Sequence, residues 1–264
     1  MRPVESAAKL STHGVREASA SSARSGVVTL GLLQGFRLER DGGSFELPLG
    51  IQRLVAFLAL HNRPLLRLFV AGNLWIDSNE EHANANLRTA LWRLHRLDFH
   101  LVDATRSHVS LAPGVVVDLH DLTERARQVL RHETAPTHDD VDAILHGGDL
   151  LPDWYDEWIL LERERFRQLR LLALETLCTG LSTAGSYAAA VEAGLACIAA
   201  EPLRESAHQA LIGAHLAEGN RVEAIRQFRL YESLVLDEFG VEPSAALRRM
   251  LDRPGGDGRM TSGR

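Results

Sequence analysis

The spacing of apolar and polar positions changes rhythm several times along this chain of 264 residues. Residues 1–26, rich in Ser and Ala with scattered charge, hold no period and read as a disordered leader. Val27 to Leu33 is an apolar strand run, and Phe36 to Arg40 and Ser44 to Leu47 flank Asp41-Gly42-Gly43, a strong hairpin signal. Helical spacing follows: Ile51, Leu54, Val55, Leu58 and Ala59 form one stripe, closed by Asn62 and Pro64. Arg67 to Trp75 predicts a second, short helix with Leu68, Leu74 and Trp75 facing inward. A third helix covers Ser78 to Leu97, with Ser78 and Glu81 at capping-box spacing. Its residues Ala83, Leu87, Ala90, Leu91, Leu94 and Leu97 share one arc. Alternation then returns at Leu101 to Asp103 and His108 to Leu111, around a polar turn at Ala104 to Ser107, and again at Val115 to Val117. Strands, three helices and a terminal hairpin are the order of a winged helix-turn-helix.

From Asp118 onward the pattern predicts helices only, over residues 121–133, 138–146, 155–184, 186–200, 203–218, 220–239 and 244–251. Gly185 and Gly219, Ala190 and Ala224, and Val191 and Ile225 recur at a period of 34 residues, that of tetratricopeptide arrays. Two legible repeats predict a compact bundle with a concave partner-binding face rather than a long solenoid. Arg253-Pro254-Gly255-Gly256 opens a flexible tail, residues 252–264. The fold class is therefore mainly α. A winged helix-turn-helix with small sheets spans residues 27–119, and an all-α tetratricopeptide-like bundle spans 120–251.

Charge sharpens this division. The net charge is −6, yet residues 27–119 carry nine Arg and nine Asp or Glu, whereas residues 120–254 carry fourteen Arg against 23 acids, a net of −9. An acidic bundle beside a neutral unit argues against non-specific coating of DNA and allows contact through a focused patch. The outer arc of the third helix supplies one: Arg88, Thr89, Trp92, Arg93 and Arg96, with no acid among them. A helix of this size suits the major groove, where guanidinium forks reach guanine edges and phosphates. Arg88, in the first half of the helix, is assigned to base edges. Arg93 and Arg96, with Arg106 in the wing turn, are assigned to phosphates. Asn84 and Thr89 are secondary candidates, and Trp92 either packs on the wing or touches DNA. The structural alternatives are a solvated arginine face, and for Arg88 an ion pair with Glu81 or Asp103.

Enzyme readings find little support. The chain has no Walker lysine motif, no Gly-x-Gly-x-x-Gly after a strand and no Gly-x-Ser-x-Gly elbow. Its twelve histidines form no zinc pattern, so no catalytic residue, cofactor or metal is expected. Asp156 and Glu157 beside Trp154 and Trp158 read as a helix-packing corner rather than a carboxylate cleft. Cys178 and Cys197 sit at apolar helical positions, as buried thiols of a reducing compartment do. No apolar run approaches the ~18–20 residues of a membrane span, and residues 1–26 lack the apolar middle of a signal peptide. A cytoplasmic protein is expected.

Three stretches resemble a known family. Leu74-Trp75 is followed by Ala85-Asn86-Leu87-Arg88-Thr89-Ala90-Leu91 and Arg93-Leu94. Glu201-Pro202-Leu203-Arg204-Glu205 is followed by Gly219, Glu223-Ala224 and Phe228. The most specific is Leu236-Asp237-Glu238-Phe239-Gly240-Val241-Glu242-Pro243-Ser244. Together with Trp158 and Glu164-Arg165, these make residues 27–251 resemble the Streptomyces antibiotic regulatory proteins with their bacterial transcriptional activator domain. The resemblance implies a response-regulator-type winged helix joined to a tetratricopeptide-like activator domain. It further implies binding of direct repeats in double-stranded promoter DNA by copies lying side by side. Recruitment of RNA polymerase subunits including sigma would then switch on biosynthetic clusters. The sequence departs from the family at Trp92, usually small and polar, at His95, usually arginine, and at Ser107-His108, which replaces a Gly-Tyr before the last wing strand. Those departures, with the neutral charge of residues 27–119, keep open a protein–protein adaptor whose winged helix has lost DNA affinity; a third reading is a sensor whose helical domain binds a small molecule, for which the sequence offers no specific pocket signal.

Overall fold

The computed structural model describes residues 26–132 and 136–252, so the leader and tail expected from the sequence fall almost wholly outside the described residues. Strands β1 (Val28–Gly31) and β2 (Arg37–Arg40) pair antiparallel, with Leu30 opposite Leu38 and both side chains buried. Asp41 and Gly42 take φ of 51° and 80°, the positive pair that a two-residue hairpin turn demands. Pairing therefore resumes at once, and β3 is Gly43–Ser44 instead of the expected Ser44 to Leu47. The third late run, β7 (Val115–Val117), does not extend the wing. It returns to pair parallel with β1, giving a four-stranded sheet in the order β3-β2-β1-β7.

Between β1 and β7 lies the helical core of the winged unit. Helix α1 (Leu49–His61) buries the expected stripe and also Ala56 and Phe57, being covered on several sides. Strand β4 (Leu65–Leu66) leads into α2 (Arg67–Leu74) and α3 (Glu80–Leu94), and β5 (Val102–Ala104) and β6 (His108–Leu111) complete a wing sheet ordered β4-β6-β5. One inward assignment fails here. Leu68 is 60% exposed, because α2 turns Val70, Ala71 and Leu74 to the core and Leu68 lies on the opposite side of that short helix.

The rest is helical: α4 (Asp118–Arg131), α5 (His138–His146), α6 (Glu157–Thr183), α7 (Tyr187–Ala200), α8 (Glu205–Glu218), α9 (Arg221–Phe239) and α10 (Ala245–Asp252). The 34-residue period has a physical cause. Gly185 and Gly219 both take positive φ between helices, while Ala190 and Ala224 are fully buried where helices approach. Cys178 and Cys197 are buried across the contact of α6 with α7, and desolvation pushes their thiols up to about 11 and about 12. No described helix is long and apolar enough to cross a membrane.

The winged unit and the bundle share one hydrophobic core, running without a break from Val28 to Ala214. Their seam is densely tied. The Asp118 carboxylate accepts the backbone N–H groups of Leu32 (2.8 Å) and Leu33 (3.1 Å). Residues 32–34 and 149–151 run beside each other, with the Leu151 amide donating to Leu32 (2.9 Å) and the Gln34 amide to Asp149 (2.8 Å). Trp154 stacks on Phe36, and Trp158 meets Phe57 edge-on at 5.2 Å, so these tryptophans are the packing corner the sequence suggested. Asp156 pairs with Arg53 of α1 rather than opening a carboxylate cleft.

Candidate nucleic-acid interface

Helix α3 starts one residue later than the sequence suggests. Ser78 is used up in the preceding turn, its amide bonded to the Trp75 carbonyl (3.0 Å), and Asn79 is the cap, accepting from the His82 amide at 2.9 Å. The Ser78–Glu81 capping box therefore does not form, although Glu80 and Glu81 still place negative charge at the positive end of the helix. Ala83, Leu87, Ala90, Leu91 and Leu94 bury the inner face against α1, α2 and β5.

The helix also ends earlier, at Leu94. The amides of Arg96 and Leu97 fold back onto the Arg93 and Leu94 carbonyls, both at 3.1 Å, so Arg96 stands in the turn beyond the helix. Arg40 of β2 holds that turn by donating to the Asp98 carbonyl (3.1 Å), pairing with its carboxylate (3.4 Å) and lying over the Phe99 ring.

On the outer face Arg88, Thr89, Trp92, Arg93 and Arg96 are exposed, as is Arg106 in the wing turn; Asn84 is half-buried. The side chains of Arg88, Arg93 and Arg106 make no ion pair or hydrogen bond with any described residue. Asp103, one suggested partner of Arg88, is instead engaged by His100 at 2.7 Å. Thr89 and Asn84 are partly spent on their own helix, donating to the carbonyls of Ala85 (3.0 Å) and Glu80 (2.9 Å). Trp92 is 58% exposed, and its ring partner is the Arg96 guanidinium at 4.9 Å instead of the wing. The ring and the arginine four positions on meet in this way because His95, just past the helix end, still keeps right-handed helical dihedrals.

Asn84, Arg88 and Arg106 line one open groove of about 520 Å³ between α3 and the wing turn, and Arg67 lines it with them. Arg67 is a residue the sequence reading passed over. Its guanidinium donates to the Thr105 carbonyl (3.1 Å) and its amide to the Ser107 carbonyl (2.9 Å), so the start of α2 clamps the wing turn that presents Arg106. Thr105 tightens the same turn, its hydroxyl accepting from the His108 amide at 3.0 Å. Arg93 and Arg96 stand outside the groove, further along the outer face. Among the described residues no group of three or more metal-binding side chains assembles.

A winged helix-turn-helix with unpaired arginines on its third helix, joined through a shared hydrophobic core to a tetratricopeptide-like bundle, is the architecture of a class of transcriptional regulator. The chain belongs to the bacterial transcriptional activator domain family, whose model matches residues 116–253, and it is similar to regulators of the Streptomyces antibiotic regulatory protein type. Regulatory protein AfsR of Streptomyces coelicolor is 27% identical over 258 residues, covering 89% of this chain and 25% of AfsR. Transcriptional regulator RedD of the same organism is 34% identical over 84 residues, covering 32% of this chain and 24% of RedD. The matched region is thus about a quarter of the length of each of these relatives. Mycobacterium tuberculosis EmbR, solved with a low-affinity phosphopeptide, shares the fold with a TM-score of 0.63 at 18% identity, over 86% of this chain and 65% of that one.

Proposed function

We propose that this protein is a sequence-specific, DNA-binding transcriptional activator. It binds direct repeats in promoter DNA as copies lying side by side, and recruits RNA polymerase through subunits including sigma. A biosynthetic cluster of secondary metabolism is the target that the family resemblance suggests. The observation that carries the reading is the exposed, unpaired state of Arg88 and Arg93 on α3, together with Arg106 across the groove. Arg88 reads base edges, Arg93 and Arg106 hold phosphates, and Arg67 positions the wing turn. Arg96 reaches a backbone phosphate once it leaves the Trp92 ring, whose indole then meets a thymine methyl. The acidic bundle, net −9 over residues 120–254, faces the basic surfaces of polymerase subunits.

The adaptor reading is favoured by one observation, the stacking of Arg96 on Trp92. Fluorescence anisotropy with the DNA upstream of the neighbouring operon separates the two. An activator binds this DNA far better than a scrambled duplex and loses that preference when Arg88, Arg93 and Arg96 are together changed to Ala. Equal binding of both duplexes by the unaltered protein would leave the adaptor.

A further inference from the structure

A second cavity, of about 570 Å³, lies in the seam where the end of α1 meets α4 and α6. Its size falls in the range of small-molecule sites, and junctions between structural units are where such sites concentrate. The floor is apolar: Leu119 and Phe166 are almost wholly buried, and Leu60 and Leu169 pack half-buried beside them. The rim carries charge of both signs, and most of it is already neutralised. Glu162 is paired with Arg165 at 2.6 Å, and Glu124 is held by Arg131 at 2.9 Å. Arg127 is the exception. It lines the cavity, is exposed, and makes no ion pair or hydrogen bond with any described residue. His120 completes the rim, with Nε2 donating to the Ala59 carbonyl at 2.7 Å and so tying α4 to the last turn of α1.

An apolar floor with one uncompensated guanidinium at its edge is complementary to a molecule with a hydrophobic body and a single negative head. We propose that this seam cavity is a binding site for a small amphipathic monoanion, with Arg127 taking the acid group and the ring of Phe166 lying under the body. The site touches both the winged unit and the bundle, so its occupant adds a bond across their junction. It is independent of whether the protein binds DNA.

The probe is 2-naphthoate, with 2-naphthylmethanol as its uncharged counterpart, titrated into the full chain carrying labelled leucine methyl groups. Saturable one-to-one shifts at Leu60, Leu119 and Leu169 are expected with naphthoate. Arg127→Gln weakens naphthoate about tenfold or more, the worth of one charge-assisted contact, and leaves the alcohol unchanged. Arg93→Gln, on the outer face of α3 and outside the cavity lining, alters neither. Binding weaker than about 1 mM, shifts away from these leucines, or equal loss of both probes in Arg127→Gln would overturn the assignment.

Discussion

Replacing Asp118 by Ala tests the seam at its narrowest point. Its Oδ1 accepts the Leu32 amide at 2.8 Å and the following Leu119 amide at 2.7 Å, and its Oδ2 accepts the Leu33 amide at 3.1 Å. Leu32 is fully buried and Leu33 nearly so, which leaves their amides little other recourse. A hydrogen bond to a charged group contributes about 1.5–3 kcal/mol, so the two long-range bonds set a ceiling of roughly 3–6 kcal/mol. The Asp118 side chain is 27% exposed, so water recovers part of the loss. The expected cost is about 3 kcal/mol. Asp118→Asn keeps one acceptor oxygen but turns an amide group toward the other N–H, and loses about half as much. Urea unfolding near neutral pH, followed by tryptophan fluorescence from the Trp154–Trp158 corner, reads the change as a shift in midpoint at constant slope. A loss below about 1 kcal/mol for Ala would refute the reasoning, since the amides would then be satisfied without the carboxylate.

The other expectations concern single residues. Gly72 sits on the exposed side of α2 with open space where a Cβ would lie, so Gly72→Ala raises stability by about 0.5–1 kcal/mol in the same assay. In titrations of promoter DNA at several salt concentrations, Arg88→Ala costs about 1–3 kcal/mol and relaxes sequence preference, while Arg93→Ala lowers the salt slope by about 1. Unchanged behaviour of either variant removes that residue from the interface. His208 is fully buried, and desolvation lowers its pKa against the opposing pull of the Pro202 carbonyl and Glu205. The unfolded chain therefore takes up a proton below about pH 6.5 that the folded chain refuses, and stability, complete above that pH, declines as pH falls toward the lowered folded value. His208→Gln flattens this part of the pH profile, and identical slopes for the two proteins would contradict the assignment.

How much of this was legible beforehand follows the range of the interactions. The amphipathic arc of α3, the Asp41-Gly42 hairpin and the glycine and alanine punctuation of the repeat are local patterns, and the chain displays them openly. Small errors arose where two local signals compete within a turn. Ser78 is a good cap by type, but Asn79 follows it, and the turn from Trp75 consumes the serine amide. Leu68 faces outward against expectation because α2 is only eight residues long, and so few positions leave its apolar side ambiguous. The larger omissions are all long-range. The parallel return of β7 to β1, the grip of Asp118 on residues 32 and 33, and the pairing of Arg53 with Asp156 join segments some 85 to 103 positions apart. Nothing in the neighbouring sequence of either partner announces them. Arg67 had a signal that could have been used: a basic residue opening the second helix, directly beside the wing. The leucines and the phenylalanine of the cavity floor gave none, since each reads as ordinary helix core.

The unbroken core between Val28 and Ala214 also constrains the proposed complex with a duplex. In the proposed docking of α3 in a groove, the shared core ties the azimuth of that helix to where along the double helix, and on which side of it, the acidic bundle stands. In that arrangement, moving an operator by half a helical turn carries the bundle to the far side of the DNA.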